Sequence, residues 1–460
     1  MTIRVAELFA GVGGFRLGLE GTPPSYGGKP LPSAGDFMTV WANQWEPPGT
    51  QSKQFAWRCY EERFGTGSCV NADIHELLTR METGAAPTPE IDMVVGGFPC
   101  QDYSVAKPLS QSAGIEGKKG VLWWDIYRFL HLTQPRYVVL ENVDRLLSSP
   151  ATRRGRDFGI ILSCLYRLGF NVEWRIVNSA EYGFPQRRKR TFIVAERATT
   201  TEENPAEGNI LGDAFPAKYG EPNSFTIPND PYEVTTTFPQ HPRSPFRAAG
   251  TMINGTVTTF DVSEIYDGKQ ETLGSVLTDE EDIPDEFFID HDTLPKWGYA
   301  KGAKDEQRTN KTTGATYRYK EGAMAFPDPT DRPARTILTS EGGASVSRTK
   351  HVIETPNGLL RRLTPRRTRR ATRIPPWVDR HQHDTQPKSI LHGQRSRSGS
   401  CPPYRAAHSA PRGRVPVSGL PTSPLLGTSK NRAPFWYTGE VPSVGGRKSR
   451  TGEKHDRPVA

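Results

Sequence analysis

Residues 1–200 read as a doubly wound α/β domain with a mainly parallel sheet, followed by a smaller, irregular or β-rich unit at 201–350. Three observations predict this. Apolar strand-like runs alternate with helical stretches as far as Ala195. The first run, Ile3 to Phe9, opens into the glycine loop Ala10-Gly11-Val12-Gly13-Gly14. A later run, Ile91-Asp92-Met93-Val94-Val95, ends on Gly96-Gly97-Phe98 and a Pro99-Cys100 dipeptide. Two glycines let the chain turn sharply and Pro99 stiffens the bend, so Cys100 is presented at the carboxyl edge of a sheet.

Taken in order, the first strand and its glycine loop lead into a short helix from Phe15 to Glu20. This is a usual cradle for a nucleotide-like cofactor, because bare backbone can approach the ligand closely. A dinucleotide fingerprint would place glycine at position 16, where this chain has Arg16. Val40 to Asn43 reads as strand two, with Gln44-Trp45-Glu46 after it. An aromatic there can stack on an adenine ring, and a core tryptophan is an equally good reading. Phe55 to Phe64 is helical, and Asn71-Ala72-Asp73-Ile74 would close a third strand with an acid at its tip. The run ending at Cys100 is the fourth.

A loop at Gly114 to Gly120 precedes an amphipathic helix around Trp123 to Leu132. Tyr137 to Leu140 is an apolar strand ending in Glu141-Asn142-Val143. A carboxylate at a strand's end suits acid–base work, with a helix cap or solvated acid as the alternative. Gly159 to Leu168 is helical, Val172 to Val177 a strand, and Gln186-Arg187-Arg188-Lys189-Arg190 a basic turn before the strand Thr191 to Ala195. Further on, Arg335 to Thr339 with Gly342-Gly343 marks a strand and glycine turn.

The net charge of +8 suggests nucleic acid until it is divided along the chain. Residues 366–460 carry 19 Lys+Arg against 5 Asp+Glu, whereas residues 1–365 carry 40 against 46. The basic character lies in the tail, so it is no evidence that the folded part binds DNA. Five cysteines (59, 69, 100, 164 and 401) without a CxxC pair argue for neither a disulfide framework nor a metal site, and fit a reducing cytoplasm. No apolar run reaches membrane-spanning length and no signal segment opens the chain, so no membrane partner is expected.

Assembled, these motifs resemble the DNA cytosine-5 methyltransferase family, in that family's order: Phe9-Ala10-Gly11-Val12-Gly13-Gly14, Asp73-Ile74, Gly97-Phe98-Pro99-Cys100-Gln101, Glu141-Asn142-Val143 and Gln186 to Arg190. The resemblance covers 1–200 strongly and 330–365 more loosely. It implies a Rossmann-like, S-adenosyl-L-methionine-dependent catalytic domain at 1–200, a target-recognition domain at 201–350, and a return to the first domain beginning at 351–365. It implies Cys100 as the nucleophile at carbon 6 of cytosine, Glu141 as proton donor at ring nitrogen 3, and Arg188 and Arg190 as holders of the base oxygen and the cysteine loop. By the same resemblance Phe9, Gly11, Gly13, Gly14, Trp45, Asp73, Ile74, Pro99 and Leu122 hold the cofactor. Gln101 and Ser104 border the space left by a flipped base. Gln44 stands where many members have a ribose-binding glutamate. The expected partner is double-stranded DNA, met by a monomer in the cytoplasm of a bacterium or encoded by a phage. A cognate restriction endonuclease would act in the same system without a stable complex.

The family's C-terminal pattern breaks after Arg361-Arg362-Leu363-Thr364-Pro365. Ile374-Pro375-Pro376-Trp377-Val378-Asp379 can be encoded so that a one-base shift reads Phe-Pro-Pro-Gly-Trp, the family's missing turn. His392-Gly393-Gln394-Arg395-Ser396, shifted likewise, reads Met-Gly-Asn-Ala-Leu, the missing cofactor segment. Residues 366–460 therefore read as a frameshifted tail. With 12 prolines and no apolar periodicity it is expected to be disordered. Two alternatives follow from the sequence: a catalytically impaired DNA-binding remnant, and an RNA cytosine methyltransferase of the same branch.

Overall fold

The computed structural model describes residues 1–22, 31–46, 54–98, 122–198, 210–277, 283–310, 314–338, 340–341 and 343–364. Cys100, Pro99, Gln101, Ser104 and the whole tail from 366 lie outside them.

The first half alternates as β1 (Ile3–Leu8), α1 (Gly14–Glu20), β2 (Phe37–Asn43), α2 (Phe55–Phe64), α3 (Ile74–Glu82), β3 (Met93–Gly97), α4 (Leu122–Thr133), β4 (Tyr137–Val143), α5 (Arg156–Arg167), β5 (Phe170–Asn178) and β6 (Lys189–Arg197). There follow α6 (Ile210–Ala214), β7 (Ala217–Tyr219), β8 (Asn223–Thr226), α7 (Pro231–Thr237), β9 (Ala249–Ile253), β10 (Thr256–Phe260) and β11 (Val262–Glu264). The last described elements are α8 (Leu294–Lys301), β12 (Lys304–Thr309), β13 (Thr316–Glu321), β14 (Val352–Glu354) and β15 (Leu360–Arg362).

Nine strands form one sheet in the order β2-β1-β3-β4-β6-β5-β9-β10-β8. Side chains alternate between its faces as strand geometry requires. Ala6, Leu8, Val94, Val138, Leu140 and Ile193 point to a core covered by α3, α4 and α5. Their neighbours Val5, Met93, Val95, Val139, Phe192 and Val194 face a second core with Leu19 of α1 and Leu211 of α6. Helices on both faces make the fold doubly wound, as the alternation predicts.

The sheet is mixed rather than mainly parallel. Parallel pairing is confined to β2-β1-β3-β4, and β6 runs antiparallel to both β4 and β5. Pairing direction depends on how the chain returns, which apolar runs do not record. Strands β8, β9 and β10, drawn from within 201–350, continue this sheet beyond β5.

Two local readings are corrected. Asn71 to Ile74 is not a strand: Asp73 caps α3, its carboxylate accepting the His75 amide at 2.8 Å. The α3 pattern Ile74, Leu77, Leu78, Met81 is a single buried helical face, which outweighs four residues of strand-like composition. Arg335 to Leu338 is likewise not a strand, although Ala334 forms a parallel bridge with Gln186.

Candidate active site

Because β1, β3 and β4 run parallel and in register, their carboxyl ends reach one edge. Leu8 lies opposite Gly96, and Gly97 opposite Glu141. Strand order reverses between β1 and β3, since β2 lies on one side of β1 and β3 on the other. Open α/β sheets bind ligands at such a switch point.

The glycine loop leaves β1 there. Phe9 and Gly11 take φ of 51° and 56°, and Gly13, the residue before α1, takes 81°. At Gly13 a Cβ would come within 2.3 Å of the Phe64 ring, so both conformation and space require glycine. The loop is braced from three sides. The Ala10 amide donates to Asn43 O at 3.0 Å, and the Gly11 amide to Gln44 Oε1 at 2.8 Å. Beneath them the buried Glu7 accepts the Phe15 amide at 3.2 Å and the Tyr60 hydroxyl at 3.0 Å. Burial pushes the Glu7 carboxyl up to about 7, against the pull of these hydrogen bonds.

The other candidate cofactor residues are drawn to the same edge by backbone. The Gln44 amide donates to Val70 O at 3.1 Å, and Asn71 Nδ2 to Gln44 O at 2.7 Å, which brings half-buried Trp45 and Asp73 beside the loop. Ile74 points into the core beneath. Leu122 begins α4, which is tied to α3 by Arg128 pairing with Glu82 at 2.8 Å, while Arg128 also pairs with Asp125 of its own helix at 3.3 Å. His75 also meets Asp125 at 3.0 Å. Around Gly14 a Cβ would meet nothing within 4 Å. A rigidly braced glycine loop with free space at Gly14, at the sheet edge reached also by the segments carrying Trp45 and Asp73, fits a site for S-adenosyl-L-methionine.

Glu141 and Arg190 come together across the β4–β6 pair. Arg190 Nε lies 2.5 Å from Glu141 Oε1, both groups being largely shielded from solvent. The other oxygen, Oε2, lies 3.1 Å from where a Cβ on Gly97 would stand, at the foot of the segment leading to Cys100. A larger residue at 97 would crowd the carboxylate. Arg188 is half-buried, its carbonyl accepting the Ser179 amide at 3.1 Å.

Two residues given no role from sequence prove central to this geometry. Buried Asn142 donates to Phe98 O at 3.4 Å, tying β4 to the last described residue before Pro99. Buried Gln186 accepts the Ile337 amide at 2.9 Å, while Arg187 N donates to Ala334 O and Ala334 N to Pro185 O, each at 2.8 Å. Thr336 adds a bond to Arg187 O at 2.7 Å. The late segment 334–337 thus docks on the turn carrying Arg188 and Arg190. Alternation pointing Asn142 to the opposite side of the strand from Glu141 was a usable signal for the first; no signal in the sequence foretells the second.

The three described cysteines, Cys59, Cys69 and Cys164, are buried. Desolvation pushes the thiols of Cys69 and Cys164 up to about 12, which suits inert core residues. Among the described residues no group of His, Cys, Asp and Glu could hold a metal ion, and no helix is long and apolar enough to cross a membrane.

The chain is 41% identical to the Type II methyltransferase M.Sau3AI of Staphylococcus aureus over 392 residues, 82% of this chain and 89% of that one. It is 28% identical to M.HhaI of Haemophilus parahaemolyticus over 202 residues, covering 44% of this chain and 51% of the relative. Among solved structures, S. pombe Dnmt2 methyltransferase matches 83% of this chain and 89% of its own at a TM-score of 0.46 and 14% identity. The family model for C-5 cytosine-specific DNA methylases matches residues 3–390. The chain belongs to the C-5 cytosine-specific DNA methylase family.

Proposed function

We propose that this chain methylates carbon 5 of cytosine within a specific duplex sequence, through covalent addition of Cys100 and with the target base turned out of the helix. The observation that carries the reading is the Glu141–Arg190 pair, set over Gly97 at the foot of the Pro99-Cys100 segment. Family membership supplies the reaction class, a DNA cytosine methyltransferase of restriction–modification type that uses S-adenosyl-L-methionine.

Carbon 5 of cytosine is a poor nucleophile. Addition of the Cys100 thiolate to carbon 6 forms a C–S bond and drives electron density towards ring nitrogen 3 and carbon 5. Glu141 supplies a proton at nitrogen 3, so that the ring becomes a neutral enamine. Arg190 holds the carboxyl in place, and Arg188 on the same turn holds the base oxygen and the cysteine loop. Once carbon 5 has taken a methyl group, whose sulfonium donor would leave as the neutral thioether, loss of the carbon 5 proton, expulsion of the Cys100 thiolate and return of the nitrogen 3 proton to Glu141 restore the aromatic ring. Bound S-adenosyl-L-methionine supplies an electrophilic methyl group. Phe9, Gly11, Gly13, Gly14, Trp45, Asp73, Ile74, Pro99 and Leu122 would hold it, while Gln101 and Ser104 border the gap in the duplex.

A single experiment tests the reading: express the chain in cells without cytosine methylation and map 5-methylcytosine in their DNA. Methylation at one short recurring sequence is expected. An unmethylated genome, with duplex binding intact but S-adenosyl-L-methionine bound only weakly by the purified chain, favours the second reading of a catalytically impaired remnant. That reading is motivated by the recoverable family motifs beyond codon 366. Transfer to RNA and not to DNA would overturn both.

The chain works in a bacterium or phage as a monomer, alongside a cognate endonuclease that it does not bind stably. The bacterial Type II methyltransferases among the relatives support the restriction–modification part of this reading.

A further inference from the structure

Strands β12 and β13 form a two-stranded sheet of their own, in the register Asp305↔Lys320, Gln307↔Arg318 and Thr309↔Thr316 on one face. All six of those side chains are exposed. The other face packs down. Arg308 stacks on Tyr319 at 3.6 Å, Tyr299 of α8 donates to Glu306 at 3.2 Å, and Arg348 pairs with Glu321 at 2.9 Å. Lys304 Nζ donates to Ala300 O at 3.2 Å and Arg348 to Gly302 O at 3.2 Å, so the stem is clamped to the end of α8.

An isolated two-stranded ribbon is marginal in water, and this one is held by charged groups at its base while its outer face carries no apolar residue. A purely solvated face is the plain alternative. Three facts argue for a ligand. The outer face is made of the side chains that hydrogen-bond base edges, with Gln307 directly opposite Arg318. Asp305 orients the Arg318 guanidinium through two bonds, Nε to Oδ1 at 2.6 Å and Nη2 to Oδ2 at 2.8 Å. Residues 304–321 hold five Lys+Arg against three Asp+Glu, whereas 1–365 as a whole are net acidic. The ribbon is thus net basic within a net acidic stretch, which suits a polyanion.

The ribbon is also fixed relative to the catalytic turn. Lys301, at the end of α8, meets Asp328 at 3.4 Å, and Asp328 meets Arg335 at 2.8 Å. Arg335 belongs to the stretch that docks on Gln186 and Arg187.

We propose that the β12–β13 ribbon enters the major groove of duplex DNA and reads base edges, with Gln307 and Arg318 as its reading pair. The inference rests on the DNA-methylating function above. A B-form major groove, about 12 Å wide, admits a two-stranded ribbon, and arginine and glutamine make paired hydrogen bonds to guanine and adenine there.

The test uses the full chain and two readouts that need no methyl transfer. A photoreactive benzoylphenylalanine is placed at position 316 on the outer face or at position 90, an exposed site near the opposite edge of the sheet. Duplex DNA is then irradiated with each. Crosslinks to bases are expected from 316 and not from 90. Separately, the wild-type chain, Gln307→Ala and Arg318→Ala are each used to select from a randomised duplex library. Each variant should lose about ten- to a hundred-fold of the preference at one or two positions, with bulk-DNA affinity changed less than about three-fold. Unchanged selected sequences in both variants, or equal crosslinking from both positions, overturns the ribbon while leaving the DNA-methylating reading intact. A chain that binds no duplex overturns that reading, and the ribbon with it.

Discussion

Arg190 Nε stands 2.5 Å from Glu141 Oε1, although 49 positions separate the two residues in the chain. Reversal of β6 produces the meeting. An antiparallel neighbour brings its first residues to the edge where the parallel strands end, so Arg190 lies opposite Val143 and beside Glu141. Substituting either partner should reduce turnover without touching the cofactor cradle. Glu141→Gln is expected to lower kcat by about 10²- to 10⁴-fold, with S-adenosyl-L-methionine affinity within a few-fold. Single-turnover rates and calorimetric cofactor titration check this. A variant that loses cofactor binding but keeps its rate at saturation would place Glu141 in the wrong site.

Cys100→Ser should abolish methyl transfer in any preparation that has it, while duplex binding survives. A serine hydroxyl is a far weaker nucleophile than a thiolate at neutral pH. Methylation near the parental rate in that variant would remove Cys100 from the mechanism.

Glu7 makes stability depend on pH. Its folded carboxyl titrates near 7, well above the ordinary glutamate value, because burial disfavours the charge. The folded state therefore binds more protons than the unfolded chain between about 4.5 and 7. Glu7's contribution is fully present below that window and lost as pH rises through 7. Glu173, half-buried and raised to about 7 by desolvation, acts in the same direction. Thermal melts from pH 5 to 8 should show the Glu7→Gln variant gaining on the parent as pH rises. Parallel melting curves for the two proteins would refute the assignment.

Restoring the alternative reading frame at about codon 366 should raise both cofactor affinity and methylation. The sequence motivates this through the Phe-Pro and Gly-Asn-Ala motifs recovered by one shift. Equal affinity and activity in the two chains would dismiss the frameshift, and nucleotide sequencing across codon 366 is the direct check.

Asn142→Ala should lower kcat by more than it lowers melting temperature. The lost bond to Phe98 O frees the approach to the Pro99-Cys100 segment, while most of the surrounding core is untouched. A variant that melts earlier but turns over normally would make Asn142 merely structural.

Much of the first half was legible because burial writes itself into the sequence. The helix Phe55–Phe64 matches its expected limits, and β4 extends the Tyr137 to Leu140 run to the Glu-Asn-Val that ends it. What could not be read is whatever depends on distant partners. Asp73 looked like a strand tip because a cap and a tip share residue types, and only the α3 face behind it decides between them. The reversal of β6, and the entry of β8 to β10 into the main sheet, are pairing choices with no local signature. The Glu141–Arg190 pair lay half in view, since both residues were candidates and only their contact was hidden.

The docking of 334–337 on Pro185 to Arg187 makes the turn that carries Arg188 and Arg190 a shared possession of two distant parts of the chain. A cut anywhere between β11 and α8 would leave the acid, both arginines and the cofactor loop on one fragment, and the strap that seats the arginine turn on the other. Neither piece alone would have a finished centre. Two such fragments, each fused to one half of an inducible dimeriser, would form a methylation switch whose output, a permanent mark on DNA, records that the halves once met.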